Sequence, residues 1–280
     1  MTGVTDTARR FAKNRLALLG LAIVALLVLV AAAAPLLAPQ DPVKQSLFEK
    51  RARPSANHLL GADEFGRDIL ARVIYGTRVA LLVGTLAVAI AGVAGAALGC
   101  VAGFAGGWLD ATIMRGIEIL LAFPYLLLAI AIVSALGPGV VNTTIAVGVW
   151  GTPTVARMVR ASVLSVKETE YVRAARALGA GGGALVLRHV VPNVLPTLIV
   201  YATLFMANAV LVEAALSFLG LGVQPPTPSW GLMVSSGRDV LLVAPHVATM
   251  PGLAIVVSVL GFNLLGDGLR DALDPRLRGV

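Results

Sequence analysis

Long uncharged, apolar runs recur along the chain, separated by short segments that hold most of the charges and turn residues. A run of about 18 apolar residues can cross about 30 Å of hydrocarbon as a helix. The pattern predicts an all-α membrane protein of about six transmembrane helices, at 16–37, 79–103, 118–136, 141–158, 194–220 and 246–266.

Two features of the runs refine this prediction. The stretch Ile119–Ala156 is too long for one span, and Pro138, flanked by Gly137 and Gly139, predicts a reversal within it. The first run follows a basic start, as in a secretory signal. It is longer than a usual signal core of about 7–15 residues, which favours an uncleaved first anchor.

Composition agrees with a membrane protein. Of the 280 residues, 58% are hydrophobic and 13% charged, whereas soluble proteins have about a quarter charged. The net charge of +7 lies in short segments between apolar runs, and only 5% of residues are aromatic, which argues against a nucleic-acid-binding face. The single cysteine, Cys100, excludes an intrachain disulfide and favours a small buried hydrophobe.

An even number of spans places both termini on one side, and the positive-inside rule places that side in the cytoplasm. The predicted inner segments hold 14 of the 22 basic residues: Arg9, Arg10, Lys13, Arg15, Arg115, Arg157, Arg160, Lys167, Arg173, Arg176, Arg188, Arg270, Arg276 and Arg278. The other eight lie outside: Lys44, Lys50, Arg51, Arg53, Arg67, Arg72, Arg78 and Arg238.

Few ionisable residues lie within the apolar runs. We expect Glu118 to pair with Arg115 at i, i+3, or else to face substrate. Glu213 either bonds a polar neighbour or, with Ser217, lines the pathway. The three histidines, His58, His189 and His246, lack ligand spacing, so no metal site is expected. Gly95, Gly99 and Gly103 form a ridge that predicts close helix packing.

The longest inner segment, between the fourth and fifth spans, contains a predicted helix. Ser165 to Glu168 fits a capping box that would begin it, and Gly179 suits the left-handed residue that ends it. Its apolar face combines Tyr171, Ala174 and Leu178 with Val172 and Ala175 beside them, flanked by Arg173 and Arg176. Such a stripe binds either the membrane surface or a groove on a soluble partner.

This segment resembles the cytoplasmic signature loop of binding-protein-dependent ABC importer permeases. The matching residues are Glu170-Tyr-Val-Arg-Ala-Ala-Arg-Ala-Leu-Gly179, followed by His189-Val-Val-Pro192-Asn193. Ala174, Ala175, Gly179 and Pro192 keep the pattern, whereas Arg173 replaces the usual glutamate and Val191 the usual leucine. The resemblance implies a coupling helix formed by Glu170, Tyr171, Val172, Arg173, Ala174, Ala175, Leu178 and Gly179, with Pro192 closing the motif.

Further motifs are similar to the C-type permease subunit of dipeptide, oligopeptide and nickel importers. They are Leu60–Asp68 with Arg72 and Gly76–Arg78, then Glu213–Gly222, Pro225–Gly231 and Asp274–Arg276. In the first motif, Asp63, Gly66, Arg67, Asp68, Arg72 and Arg78 are the candidate outer interface residues. The spacing of Ile69, Val73 and Ala80 predicts an amphipathic segment lying at that interface or, alternatively, a solvated linker.

The resemblance implies a type I ABC importer permease fold in a bacterial or archaeal cytoplasmic membrane. Its expected parts are residues 1–76 (amino terminus, anchor and outer segment), 77–270 (transmembrane domain with coupling loop 159–192) and 271–280 (cytoplasmic tail). It also implies a second homologous permease, two ATPase subunits and an extracytoplasmic substrate-binding protein. The chain has no phosphate-binding Gly-x-x-x-x-Gly-Lys loop, so ATP and magnesium are expected on the ATPase subunits and no cofactor on this chain.

Peptides are the commonest cargo of the resembled branch, with nickel or glutathione as alternatives. Two other function classes remain. A secondary transporter would show repeats or coupling charges, and only Glu213 fits the second requirement. An intramembrane hydrolase would need a nucleophile and base such as Ser217 with His246, which no catalytic motif accompanies.

Overall fold

The computed structural model describes residues 2–179 and 181–273, with side chains for 8–175, 177–179, 181–186 and 188–273. The regular secondary structure of this part of the chain is helical, apart from one isolated β-bridge between Ala62 and Asp68. The helices are α1 (Thr2–Lys13), α2 (Arg15–Ala32), α3 (Ala34–Leu37), α4 (Ile69–Ala105), α5 (Gly107–Ala122), α6 (Tyr125–Leu136), α7 (Val140–Lys167), α8 (Glu170–Ala177), α9 (Gly182–Leu185), α10 (Val191–Phe218), α11 (Trp230–Arg238) and α12 (His246–Leu273), with a 3₁₀ turn at Leu47–Glu49 and a π turn at Val186–Val190.

Four helical segments of the described residues are long and apolar enough to cross a membrane: Arg15–Ala32, Ile69–Ala105, Gly182–Phe218 and His246–Leu273. The bent pair α5 and α6 would make five, compared with about six predicted. The predicted fourth span lies on α7, whose second half carries Arg157, Arg160 and Lys167. The all-α membrane fold is confirmed. The tail motif Asp274–Arg276 lies outside the described residues.

The predicted third span is not one straight helix. α5 and α6 meet at 97°, with Phe123 and Pro124 between them. Proline lacks an amide hydrogen and disfavours a helical conformation in the residue before it. Phe123 accordingly has an extended backbone, with ψ of 135°. The predicted third span at 118–136 missed this break because the apolar run continues on both sides of Pro124 without a charged residue.

Helix α4 begins ten residues before the predicted second span, at Ile69 instead of 79, and runs for 37 residues. Asp68 caps its first turn, because the Asp68 carboxylate accepts a 2.8 Å hydrogen bond from the Ala71 amide. Arg72 and Arg78 therefore lie within a long helix that continues into the apolar run.

Glycines bring the long helices into close contact. The predicted ridge of Gly95, Gly99 and Gly103 on α4 packs directly on α7, confirming that prediction. A Cβ on Gly95 would stand 2.5 Å from Val155 Cβ, and one on Gly103 would stand 2.8 Å from Val163 Cβ. A similar contact joins α2 to α12, where Gly20 lies against the backbone of Leu265. Two glycine-mediated helix pairs thus form the frame of the fold.

Candidate functional site

Helix α8 forms a separate short element between two long helices. The predicted capping box is wrong: Ser165 lies inside α7, which continues to Lys167 because its stripe of buried valines keeps packing on α4. The chain turns at Glu168 and Thr169, and the Thr169 carbonyl accepts the Arg173 amide at 3.0 Å as α8 begins. Gly179 has φ of +87°, which confirms the predicted left-handed ending.

One face of α8 is anchored to the rest of the chain. Val172, expected on the outward stripe, points inward instead and is 1% exposed. The Tyr171 ring lies 5.5 Å from the His189 ring, and the Tyr171 hydroxyl accepts a 3.3 Å hydrogen bond from Asn193 Nδ2. These contacts fix α8 against the beginning of α10, so the two elements are positioned to move together.

The opposite face of α8 is open. Leu178 is 89% exposed, and Glu170, Arg173 and Ala174 are exposed beside it. Next to this face lies a cavity of about 330 Å³, lined by Ala175, Leu178, Gly179, Ala184, Leu185, Arg188 and His189. Pro192 is exposed in the first turn of α10. The predicted coupling residues thus share a short, exposed element bordered by a groove, with Val172 as its inward anchor.

Two polar contacts hold α7, the helix leading to α8, against the corner between α4 and α5. Arg160 binds the Asp110 carboxylate through two hydrogen bonds of 2.5 and 2.6 Å, from Nε to Oδ1 and from Nη2 to Oδ2. Lys167 Nζ donates to the Gly103 carbonyl at 3.2 Å. Sequence reasoning missed both contacts, because their partners lie 50 or more residues apart and no motif links them.

The buried carboxylate of Glu213 has its partners within the chain. Glu213 Oε1 accepts 2.8 Å hydrogen bonds from the Ser217 and Ser229 hydroxyls, and Ser217 Oγ accepts one of 3.0 Å from the Val223 amide. The expected polar neighbour is confirmed, and Glu118 likewise pairs with Arg115 at 3.2 Å. Glu213 and Ser217 are 1% and 0% exposed, so they line no open surface of this chain and their place in a pathway stays a prediction.

The candidate outer interface residues form a buried ionic cluster. Arg67 and Asp68 are 7% and 1% exposed, so the predicted amphipathic surface segment and the solvated linker are both wrong. Asp63 Oδ2 accepts a 2.6 Å bond from Arg67 Nε and lies 3.6 Å from Arg72 Nε. Gly66, at φ of +71°, lies against the Ser46 carbonyl. Only Arg78 is exposed, near the Tyr75 ring.

His58 joins this cluster, and sequence reasoning gave it no role. Its Nδ1 lies 2.9 Å from Asp68 Oδ1, and its Nε2 lies 3.5 Å from Glu49 Oε2. Burial lowers the pKa of His58, but hydrogen bonds with Asp68 and Glu49 outweigh burial and raise that pKa above its ordinary value. The described residues contain no group of three or more His, Cys, Asp or Glu side chains suited to a metal ion.

Family profiles match two separate parts of the chain. Residues 95–279 match the binding-protein-dependent transport system inner membrane component family, and residues 4–54 match the N-terminal TM domain of oligopeptide transport permease C. These two matches lie on the transmembrane domain and on the first anchor with part of the outer segment.

Similar proteins agree with the profiles. The dipeptide transport system permease protein DppC of Alkalihalophilus pseudofirmus is 45% identical over 273 residues, covering 98% of this chain and 90% of that protein. The glutathione transport system permease protein GsiD of Escherichia coli O157:H7 is 44% identical over 272 residues, covering 97% and 90%. The chain therefore belongs to the inner membrane permeases of binding-protein-dependent ABC importers, in the dipeptide and oligopeptide family.

Proposed function

We propose that this chain forms half of the translocation pathway for di- or oligopeptides and couples that pathway to ATP hydrolysis through α8. As a permease of this family it is a transport component and not an enzyme. The observation that carries the coupling proposal is the exposed face of α8 beside its groove, opposite the buried anchor Val172. Peptide cargo is supported by the relatives named for dipeptide and glutathione transport.

The proposed assembly contains a second homologous permease, two cytoplasmic ATPase subunits that bind ATP and magnesium, and an extracytoplasmic substrate-binding protein. The family match supports such a complex in the inner membrane. Counting the uncharged first half of α7 as a sixth span, we place both termini and α8 in the cytoplasm, on the basis of the inner excess of basic residues. The ATPase subunits would then accept α8 in a surface groove, a common mode of recognition for a short amphipathic helix.

Movement of α8 would reach the membrane through α7. The Asp110–Arg160 pair and the Lys167–Gly103 contact tie the α8 end of α7 to α4 and α5. The glycine ridge keeps α4 and α7 in contact along their length. Rigid elements of this kind transmit a shift at one end to the other, because a close-packed interface does not deform continuously. Closure of the ATPase subunits would thereby switch the pathway between inward-open and outward-open states.

The test replaces two residues on the groove side of α8. Gly179→Val strains a left-handed backbone that side chains rarely adopt, and nothing else lies within 4 Å of the added Cβ. Ala175→Asp places a carboxylate on the lining of the groove, where docking of an apolar partner surface would have to bury it. We expect the double variant to insert and to retain the partner permease, but to lose the ATPase subunits or to uncouple their hydrolysis from uptake.

A matched control is Gly181→Val. Gly181 also has nothing within 4 Å of an added Cβ, but its φ of −66° is accessible to valine. We expect this variant to take up peptide normally. Normal ATP-driven uptake by the Gly179→Val, Ala175→Asp variant would disprove the coupling role of α8.

A further inference from the structure

The outer segment, residues 38–68, presents an exposed apolar pair that the proposed transport pathway does not use. Leu47 and Phe48 begin the 3₁₀ turn at Leu47–Glu49. Leu47 is 69% exposed and Phe48 is fully exposed. We call these two side chains the outer knob. An exposed phenylalanine is more informative than an exposed leucine, because aromatic side chains are enriched at the buried centres of protein interfaces.

Four exposed cations lie close to the outer knob in sequence: Lys44, Lys50, Arg51 and Arg53. None of them takes part in an ion pair among the described residues. The carboxylate between them, Glu49, is directed to His58 at 3.5 Å. We call these four cations, which lie within five residues of the outer knob along the chain, the basic rim. Lys44 and Arg51 interact with Glu49 and Glu64 without forming a close ion pair, so the rim can still attract a negatively charged partner.

The outer knob is held in place by backbone hydrogen bonds on both sides. The Ser46 amide donates to the Phe65 carbonyl at 3.1 Å, and the Arg51 amide donates to the Asp63 carbonyl at 2.9 Å. Gly66 lies directly against the Ser46 carbonyl. The turn is thus fixed to the buried ionic cluster that begins α4. A fixed surface loses little conformational entropy on binding, which favours affinity.

The chain rises away from the bilayer as it approaches the outer knob. Pro35 and Ala38, at the end of the first anchor, share a cavity with Tyr75 of α4. Farther along, the Pro42 carbonyl accepts a 3.0 Å bond from Arg72 Nη1, and Ser46 pairs with Phe65. From Pro35 to Ser46, the outer residues thus lie first beside Tyr75 of α4, then beside Arg72, and finally beside Phe65, which precedes the helix.

Helix geometry converts this rise into a height. The uncharged run of α4 begins at residue 79, so Ile69 lies about 15 Å beyond it along the helix axis. A tilt of about 40° would still leave about 11 Å along the membrane normal. One headgroup layer is about 5–7 Å thick. Ser46, the residue before the outer knob, contacts Phe65 and Gly66, which precede Ile69 in the chain. From this height we infer that the outer knob lies in the aqueous phase, which favours a soluble protein over the bilayer as its partner.

We propose that the outer knob docks a water-soluble protein whose apolar pocket accepts Phe48 and whose carboxylates face the basic rim. Resting on the proposed function, this partner is the extracytoplasmic substrate-binding protein. Residues 47 and 48 fall in the segment that matches the oligopeptide permease C profile, residues 4–54, and outside the transport family profile at 95–279. The outer knob therefore lies in the part of the chain that is similar to oligopeptide permeases.

The test measures the affinity of the binding protein for the assembled importer in nanodiscs, as a function of salt. Phe48→Ser removes the aromatic anchor, and we expect affinity to fall about tenfold or more, as at interface hot spots. Phe48→Leu keeps an apolar side chain and should cost much less. The matched control Leu36→Ser alters a residue that is 89% exposed at the end of the first anchor, at the level of the bilayer, and should bind normally.

The rim is tested by Lys50→Glu with Arg53→Glu. This pair should weaken binding and flatten its salt dependence, since rim charges act through long-range attraction. ATP hydrolysis without the binding protein should stay unchanged in every variant. Unaltered affinity in both Phe48→Ser and the charge-reversed pair would overturn the docking role while leaving the importer intact.

Two other outcomes are distinct. In the first, a polarity-sensitive dye is attached to Phe48→Cys in a Cys100→Ala background, and the importer is placed in anionic nanodiscs without binding protein. If the dye reports an apolar environment there, the outer knob contacts lipid and the proposal is overturned. Failure of any peptide-loaded binding protein to stimulate ATP hydrolysis by the wild-type complex would instead overturn the proposed function, and the docking proposal with it.

Discussion

Gly99 provides the sharpest test of the helix frame. Replacing it with alanine adds one methyl group on α4 at the point where α7 comes nearest. The new Cβ would collide with the Ala156 carbonyl oxygen, and it would lie 2.8 Å from Val159 Cβ and 3.0 Å from the Arg160 amide nitrogen. Two of these three obstacles are backbone atoms of a helix, which cannot rotate away as a flexible side chain can.

The size of the effect follows from two opposing contributions. Alanine is favoured over glycine by about 1 kcal/mol in a helix interior. Overpacking a tight contact costs about 1–3 kcal/mol, and a backbone obstacle places Gly99→Ala toward the upper end. We therefore expect a net destabilisation of about 1–2 kcal/mol. At about 2–4 °C per kcal/mol, Tm should fall by several degrees.

A matched control lies two turns earlier on the same helix. Gly92 has nothing within 4 Å of an added Cβ, so Gly92→Ala should keep the helix gain without the clash and raise Tm slightly. Thermal unfolding of both variants in one detergent measures the difference directly. Equal Tm changes in Gly92→Ala and Gly99→Ala would refute close α4–α7 contact as the frame of the fold.

Three further predictions concern the two ends of the molecule. Asp110→Asn should preserve complex assembly but raise the number of ATP molecules hydrolysed per peptide imported, because it weakens the bidentate bond to Arg160. The charge-swapped variant Asp110→Arg with Arg160→Asp should recover part of the coupling. An unchanged coupling ratio in Asp110→Asn would contradict that role. The pKa of His58 is raised in the folded protein, so protonated His58 should stabilise the fold fully below about pH 6.5. This stabilisation should be lost as the pH rises through the pKa of His58 in the folded state. His58→Gln should remove this slope, and a wild-type stability that is flat above pH 6.5 would argue against the charged pair. Ser55 and Glu168 are both exposed, and each is replaced by cysteine in a Cys100→Ala background. In intact cells an impermeant reagent should label the cysteine at position 55 and not the one at position 168. Labelling of both would invalidate the topology.

Much of the fold follows from local patterns in the sequence. Apolar runs predict the spanning helices because hydrocarbon requires every backbone group to bond within its own helix. The ridge of Gly95, Gly99 and Gly103 predicts close packing because small residues at i, i+4 spacing share one helix face. The pair of Glu118 with Arg115 was predictable because the two residues lie one turn apart. For Glu213 the sequence predicted a polar neighbour without naming it, and the neighbours are Ser217 and Ser229.

The features that the sequence did not predict depend on distant contacts. Ser165 fits a capping box, yet α7 continues through it because Val155, Val159 and Val163 pack on α4. Local capping stabilises a helix end by about 1 kcal/mol, which a row of buried valines outweighs. The charged residues between Asp63 and Arg78 have the spacing of an exposed amphipathic segment. Tertiary contacts instead bury Arg72 beside Asp63.

The central claim is that α8 contacts an ATPase subunit, and Leu178 offers the most direct test. This side chain is 89% exposed on the groove side of α8. We expect Leu178→Cys, in a Cys100→Ala background of the assembled importer, to form a short-reagent cross-link to an ATPase subunit, with a yield that changes when ATP binds. The account would be contradicted if an intact complex gave no such cross-link and if lipid-borne quenchers quenched a dye attached to Leu178→Cys. That result would place α8 on the membrane surface.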